Sequence, residues 1–207
     1  PTGLWAIIRD VSERKRAELA VRVSEKKYRL FFENAADAIF IHDESGRILA
    51  ANPTACEQLG YELAEVLTLN AAQVDSPEEA PRVPERIATL LRQGHLEFET
   101  VHRRKDGSLF PVEVKARLVT WNGRPAAMSI CRDITERKQA DRFLRLVLEN
   151  IPDYVFWKDR NSVFLGCNNA IAKAAGLDSP DQIIGKTDYD LGWKKEESDF
   201  YVAVDRR

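Results

Sequence analysis

The chain has 207 residues, 44% of them hydrophobic and 31% charged, with a formal net charge of −2. That balance fits a folded globular protein, and the lack of a basic excess argues against a broad nucleic-acid surface. No apolar run approaches the roughly 20 residues that cross a bilayer.

Pro1-Thr2-Gly3-Leu4 lacks the layout of a signal peptide. Cys56, Cys131 and Cys167 are far apart and suggest neither a disulfide frame nor a zinc site. The segment reads as cytoplasmic, with any membrane attachment of its parent lying outside it.

The chain opens on a motif that it later repeats. Ile7-Ile8-Arg9-Asp10-Val11-Ser12-Glu13-Arg14-Lys15 recurs as Ile130-Cys131-Arg132-Asp133-Ile134-Thr135-Glu136-Arg137-Lys138. A second match pairs Leu30 and Asn34 with Leu146 and Asn150, then Phe40 with Phe156, Leu49 with Leu165, Asn52 with Asn168 and Gly60 with Gly176. This order predicts the closing strand and exit of a preceding domain over 1–12 and a linker helix over 13–27. It then predicts a complete domain over 28–135, a second linker helix over 136–150 and the first half of another domain over 151–207.

Within 28–135 the elements follow from local signals. Ala38-Ile39-Phe40-Ile41 is a short apolar strand, Ser45-Gly46 a turn and 47–51 a second strand. Asn52 suits an N-cap, Pro53 the first helical position and Gly60 a helix end. Ser76 with Glu79 reads as a capping box, and Ile87, Leu90 and Leu91 form a helical stripe up to Gly94. Three strands follow, turned by Asp106-Gly107 and Asn122-Gly123. In the middle one, Phe110, Val112, Val114, Ala116 and Leu118 alternate with polar residues. The result is an α+β domain.

This order, the Arg104-Lys105-Asp106-Gly107-Ser108-Leu109-Phe110-Pro111-Val112 segment and the two exit motifs resemble the PAS/PAC sensory domain family. The resemblance implies a five-stranded antiparallel sheet with flanking short helices, in tandem domains joined by amphipathic linker helices. Phe156-Trp157-Lys158-Asp159 and Gly185-Lys186-Thr187-Asp188 mark the second, unfinished copy. A two-stranded piece is marginal alone, so poor order or non-native pairing is expected beyond about residue 150.

The exit motif can act as helix capping alone, with Asp133 or Thr135 at the cap and Glu136 near the positive end. The resemblance implies more: Asp133, Ile134, Thr135, Glu136 and Arg137 would carry strain from the sheet into the next helix. Leu19, Val23, Lys26 and Leu30, and Ala140, Leu144, Val147 and Ile151, follow a heptad-like spacing. They fit either packing on their own domain or a homodimer seam.

The resemblance also sets the cofactor expectations. Haem-bearing relatives place a His on the helix ahead of the third strand, where 69–94 has none; His42, His95 and His102 lie on strands. Cys56 comes too early for the cysteine of covalent flavin domains. Haem and covalent flavin are therefore disfavoured, and non-covalent flavin or a small metabolite stays open. Ile39, Leu49, Leu90, Phe98, Phe110 and Val112 are the candidate pocket residues, although they would equally fill a core.

No phosphate loop, nucleophile elbow or metal motif points to catalysis, so no catalytic residue and no metal site are expected. Asp188 and Asp190 alone are a turn signal. The expectation is a sensory module that relays a conformational change to a downstream output domain of the same chain. That output is a two-component histidine kinase; a diguanylate cyclase and a ligand-free dimerisation spacer are the alternatives.

Overall fold

The computed structural model describes residues 12–205. Except for Ser12, the segment expected to hold a closing strand at 1–12 lies outside the described residues. The chain divides into two compact units, Pro1–Thr135 and Glu136–Arg207.

Among the described residues the first element is helix α1 (Ser12–Glu33), which runs past the expected linker boundary at residue 27. Strands β1 (Ala38–His42) and β2 (Ile48–Ala51) form a hairpin. Four helices follow: α2 (Pro53–Leu59), α3 (Leu63–Val66), α4 (Ala71–Val74) and α5 (Val83–Gln93). The unit closes with β3 (His95–Arg103), β4 (Leu109–Trp121) and β5 (Arg124–Asp133). The five strands form one antiparallel sheet in the order β2-β1-β5-β4-β3.

Alternation decides which side of the sheet is dry. Phe40, Ile48, Phe110, Val112, Val114 and Cys131 point to one face and join Ala55, Leu59, Val66 and Val74 of the helices in a single core. Lys115, between the buried Val114 and Ala116, stays exposed, as do Arg117 and Leu118 beyond them.

Turn chemistry fixes the connections. Gly46 sits at φ +83°, and a Cβ there would approach Asn70 Oδ1 to 2.9 Å. Asn70 in turn donates to the Ser45 carbonyl at 2.8 Å and caps Ala72 N–H at 3.0 Å, so the β1–β2 turn is tied to α4. The helix expected from Ser76 starts later, as a 3₁₀ turn over Ala80–Arg82 leading into α5. Glu79 serves not as a capping-box residue but as a partner of Arg82 and Arg86.

Helix α6 (Thr135–Asn150) starts at the last residue of the first unit, and the second unit holds the rest of it with β6 (Phe156–Lys158), β7 (Phe164–Cys167), α7 (Asn169–Ala174) and α8 (Lys195–Asp205). Strands β6 and β7 pair with each other, contrary to the expectation of poor order or non-native pairing. Their register repeats that of β1 and β2: Phe156 faces Cys167 as Phe40 faces Ala51, and each hairpin slips after its second pair.

The reason lies in a repeated asparagine. Asn52 Oδ1 accepts Ile39 N–H at 2.9 Å and Ala55 N–H at 3.0 Å, while its Nδ2 donates to the Asp37 carbonyl at 3.0 Å. Asn168 Oδ1 accepts Val155 N–H and Ile171 N–H, both at 3.3 Å, and its Nδ2 donates to the Ile151 and Asp153 carbonyls. Each side chain is fully buried and locks a hairpin onto the helix that follows it. Lys158 adds a buried anchor, with Nζ 2.7 Å from both Asp188 and Asp205.

Candidate functional site

Between the inner face of the sheet and helices α4 and α5 lies a cavity of about 70 Å³. Phe40, Ile48, Val74, Leu90, Leu96, Phe98 and Val114 supply apolar wall, while His42, Asp75, Arg86, His102 and Ser129 supply the polar groups.

Only part of the expected pocket lines it. Leu90 and Phe98 are on its wall, whereas Phe110 and Val112 are buried in the adjoining core. Ile39 and Leu49 do not line it. Strand side chains alternate, so the neighbours Phe40 and Ile48 face inward instead.

The polar groups gather where α5 meets β3. Arg86 Nη1 donates to Asp75 Oδ2 at 3.0 Å and to Thr100 Oγ1 at 3.2 Å, and its other amine pairs with Glu79. Its guanidinium also lies 4.3 Å from the Phe98 ring centroid. Thr100 donates to Asp75 Oδ1 at 3.3 Å, and His102 Nε2 is 3.5 Å from the same oxygen.

Burial dominates the titration of this cluster. It raises Asp75 to about 6 despite the neighbouring Arg86 guanidinium. It lowers His102 to about 4, with Arg86 adding to the effect. His102 is therefore a neutral imidazole near pH 7, its Nε2 3.5 Å from the Asp75 carboxylate.

On another part of the wall, His42 Nδ1 faces the Asp43 carbonyl at 3.0 Å and Ser129 Oγ lies 3.5 Å from Nε2. A carbonyl only accepts, so the ring proton sits on Nδ1 and Nε2 is an acceptor. Burial lowers the pKa of His42 as well, and raises that of the Cys131 thiol.

The cavity is connected to the start of α6 through two aromatic contacts and an ion pair. The His102 ring meets Phe110 edge-on at 5.7 Å, and the Arg104 guanidinium lies 3.8 Å from the Phe110 ring centroid. Arg104 Nη2 is 3.3 Å from Asp133 Oδ2, and its other amine donates to the Gln58 carbonyl at the end of α2. Asp133 Oδ1 accepts Thr135 N–H at 2.8 Å and the Thr135 hydroxyl at 2.5 Å. Of the expected relay residues, Asp133, Ile134 and Thr135 thus sit at this junction, with Ile134 buried.

The cavity is small. About 70 Å³ falls well short of the roughly 300 Å³ at which pockets for drug-sized ligands begin. Among the described residues no group of three or more His, Cys, Asp or Glu could hold a metal ion. Asp188 pairs with Lys158, and Asp190 closes its own turn by accepting Thr187 N–H at 2.8 Å. Likewise, no helix among the described residues is long and apolar enough to cross a membrane.

Sequence comparison agrees with this architecture. Residues 36–136 match the family model of the PAS domain. The chain is 32% identical over 135 residues to the methyl sulfide methyltransferase-associated sensor of Methanosarcina acetivorans, covering 65% of this chain and 14% of that protein. It is 29% identical over 142 residues to sporulation kinase E of Bacillus subtilis, covering 68% of this chain and 19% of that kinase. The chain therefore spans less than a fifth of either relative.

Among solved structures, the PAS domain of an HTR-like protein from Haloarcula marismortui superposes with a TM-score of 0.53 at 30% identity. That match covers 58% of this chain and 99% of the other. With this fold, this sheet order and these relatives, the chain belongs to the PAS domain family, and residues 36–136 are a sensory, signal-transducing PAS domain.

Proposed function

We propose that the PAS domain senses a small molecule in the cavity and passes its occupancy to α6 through Asp133, Ile134, Thr135, Glu136 and Arg137. The observation that carries this reading is the position of Arg104. It leans on Phe110, which touches the cavity residue His102, and it holds the carboxylate that orders the first turn of α6. A change in the wall thus has a short physical route to the helix.

The output is a histidine kinase domain of the same polypeptide, a reading supported by the kinase among the relatives. The second unit is the front half of another PAS domain, supported by the repeated hairpin register and the paired roles of Asn52 and Asn168. The molecule acts as a homodimer through its linker helices. Leu19 and Leu30 of α1 are 63% and 60% exposed and Leu144 of α6 is 59% exposed, an apolar cost that a helical seam removes.

Mass spectrometry of the purified chain under native and denaturing conditions tests both parts. The expected result is a dimer mass carrying a small non-covalent adduct that denaturation releases. A monomer points against the seam. A ligand-free protein that takes up no added small molecule points against sensing.

A further inference from the structure

The polar groups of the cavity distinguish among the chemical classes that it can admit, given the sensory reading above. Near α5 the groups already satisfy one another. Both Asp75 oxygens have donors, Oδ2 in Arg86 and Oδ1 in Thr100, and the two carboxylates Asp75 and Glu79 share the Arg86 guanidinium. An entering carboxylate would add negative charge beside this pair.

His42 and Ser129 are different. Each is only 7% exposed, and the single contact between them is 3.5 Å, long for a hydroxyl donor. His42 Nε2 is an acceptor because Nδ1 holds the proton against the Asp43 carbonyl. Ser129 Oγ offers either role. The pair is thus under-satisfied and buried on the cavity wall.

A hydroxyl matches such a pair, donating to Nε2 while accepting from Ser129. A ketone cannot donate, and an ammonium would be desolvated with no anion at this position. Size sets the other limit. The cavity is about 70 Å³, roughly half of a ~150 Å³ cavity known to take benzene, which leaves room for about three or four non-hydrogen atoms.

We propose that this cavity binds a small neutral aliphatic alcohol, its hydroxyl set between His42 Nε2 and Ser129 Oγ and its chain along the apolar wall. The test is an NMR titration of the 207-residue protein with 1-propanol, sodium propionate and xenon in turn. The expected result is saturable shifts at Ser129 and Leu90 with 1-propanol and none with propionate at equal concentration. Ser129→Ala should weaken 1-propanol about fivefold, the worth of one neutral hydrogen bond, while xenon binding stays unchanged and reports an intact cavity.

Propionate binding as tightly as 1-propanol, or Ser129→Ala leaving 1-propanol unaffected, would overturn the alcohol assignment and leave the sensory cavity standing. If no probe, xenon included, reached these residues, the sensory reading would fall and the alcohol assignment with it.

Discussion

The Arg104 guanidinium meets Asp133 at 3.3 Å and so ties the β3–β4 turn to the carboxylate that orders the first turn of α6. The pair is partly exposed, so its direct contribution to stability is small, about 1 kcal/mol or less. Its value is positional. Asp133 Oδ1 serves Thr135 while Oδ2 serves Arg104, so moving one partner re-aims the other.

Asp133→Ala should therefore disturb the junction more than the fold. Loss of the bond to Thr135 N–H should cost about 1 kcal/mol, as for other helix-start residues. Hydrogen exchange at Thr135, Glu136 and Arg137 should speed up severalfold, while Val112 and Val114 in the sheet stay protected. Equal loss of protection at both places would mean that Asp133 only holds the domain together.

The burial of Asp75 and His102 predicts an unusual pH profile. Asp75 titrates near 6 in the folded state against 3.8 ordinarily, so its burial penalty grows as pH rises from about 4 to 6. His102 titrates near 4 against 6.5, so its contribution is intact above 6.5 and is lost as pH falls towards 4. The two slopes oppose each other and nearly cancel between these limits. Relative to wild type, Asp75→Asn should lose stability on acidification by up to about 1.4 kcal/mol per pH unit. His102→Gln should gain by a similar slope. Urea unfolding from pH 7 to pH 4 reads both, and parallel profiles for all three proteins would refute the two opposing shifts.

Arg86 neutralises two carboxylates from a largely buried position. Arg86→Met should destabilise the chain by about 3 kcal/mol, because removing one member of a buried pair strands the others. Adding Asp75→Asn should recover part of that loss. A double variant no better than the single one would show that packing against Phe98, rather than charge, is what Arg86 provides.

Asn52 and Asn168 offer an internal control. Asn52→Ala removes three side-chain hydrogen bonds and Asn168→Ala removes four. At about 1 kcal/mol each, either change should destabilise its own unit by roughly 2–4 kcal/mol. Thermal unfolding followed by Trp fluorescence should show this, since Trp121 and Trp157 lie in different units. A loss in the wrong unit would contradict the repeat.

Much of the fold was legible because its signals are local. Asn52-Pro53 and Gly60 bracket α2, Asp106-Gly107 turns β3 into β4, and the alternation from Phe110 to Ala116 marks the dry face of β4. The pocket was less legible. The run Ala38-Ile39-Phe40-Ile41 is apolar on both faces, so its sequence could not say which neighbour points inward.

The Asp75–Arg86–Thr100 cluster was missed because its members lie 11 to 25 residues apart and only the tertiary fold assembles them. One signal was available. Arg86 stands four residues before Leu90 on α5, which places a charge in the apolar stripe. The late start of that helix had a similar cause, since Glu79 was claimed by Arg86 and Arg82.

The central claim is that the state of the cavity is read at the start of α6. Leu90→Phe, which places a larger side chain on the cavity wall, serves as a fixed occupant, and hydrogen exchange at Thr135, Glu136 and Arg137 is the readout. The account predicts that Leu90→Phe changes exchange at these three amides and that adding Arg104→Met abolishes the change. An altered cavity wall with unaltered exchange at the three amides would contradict it.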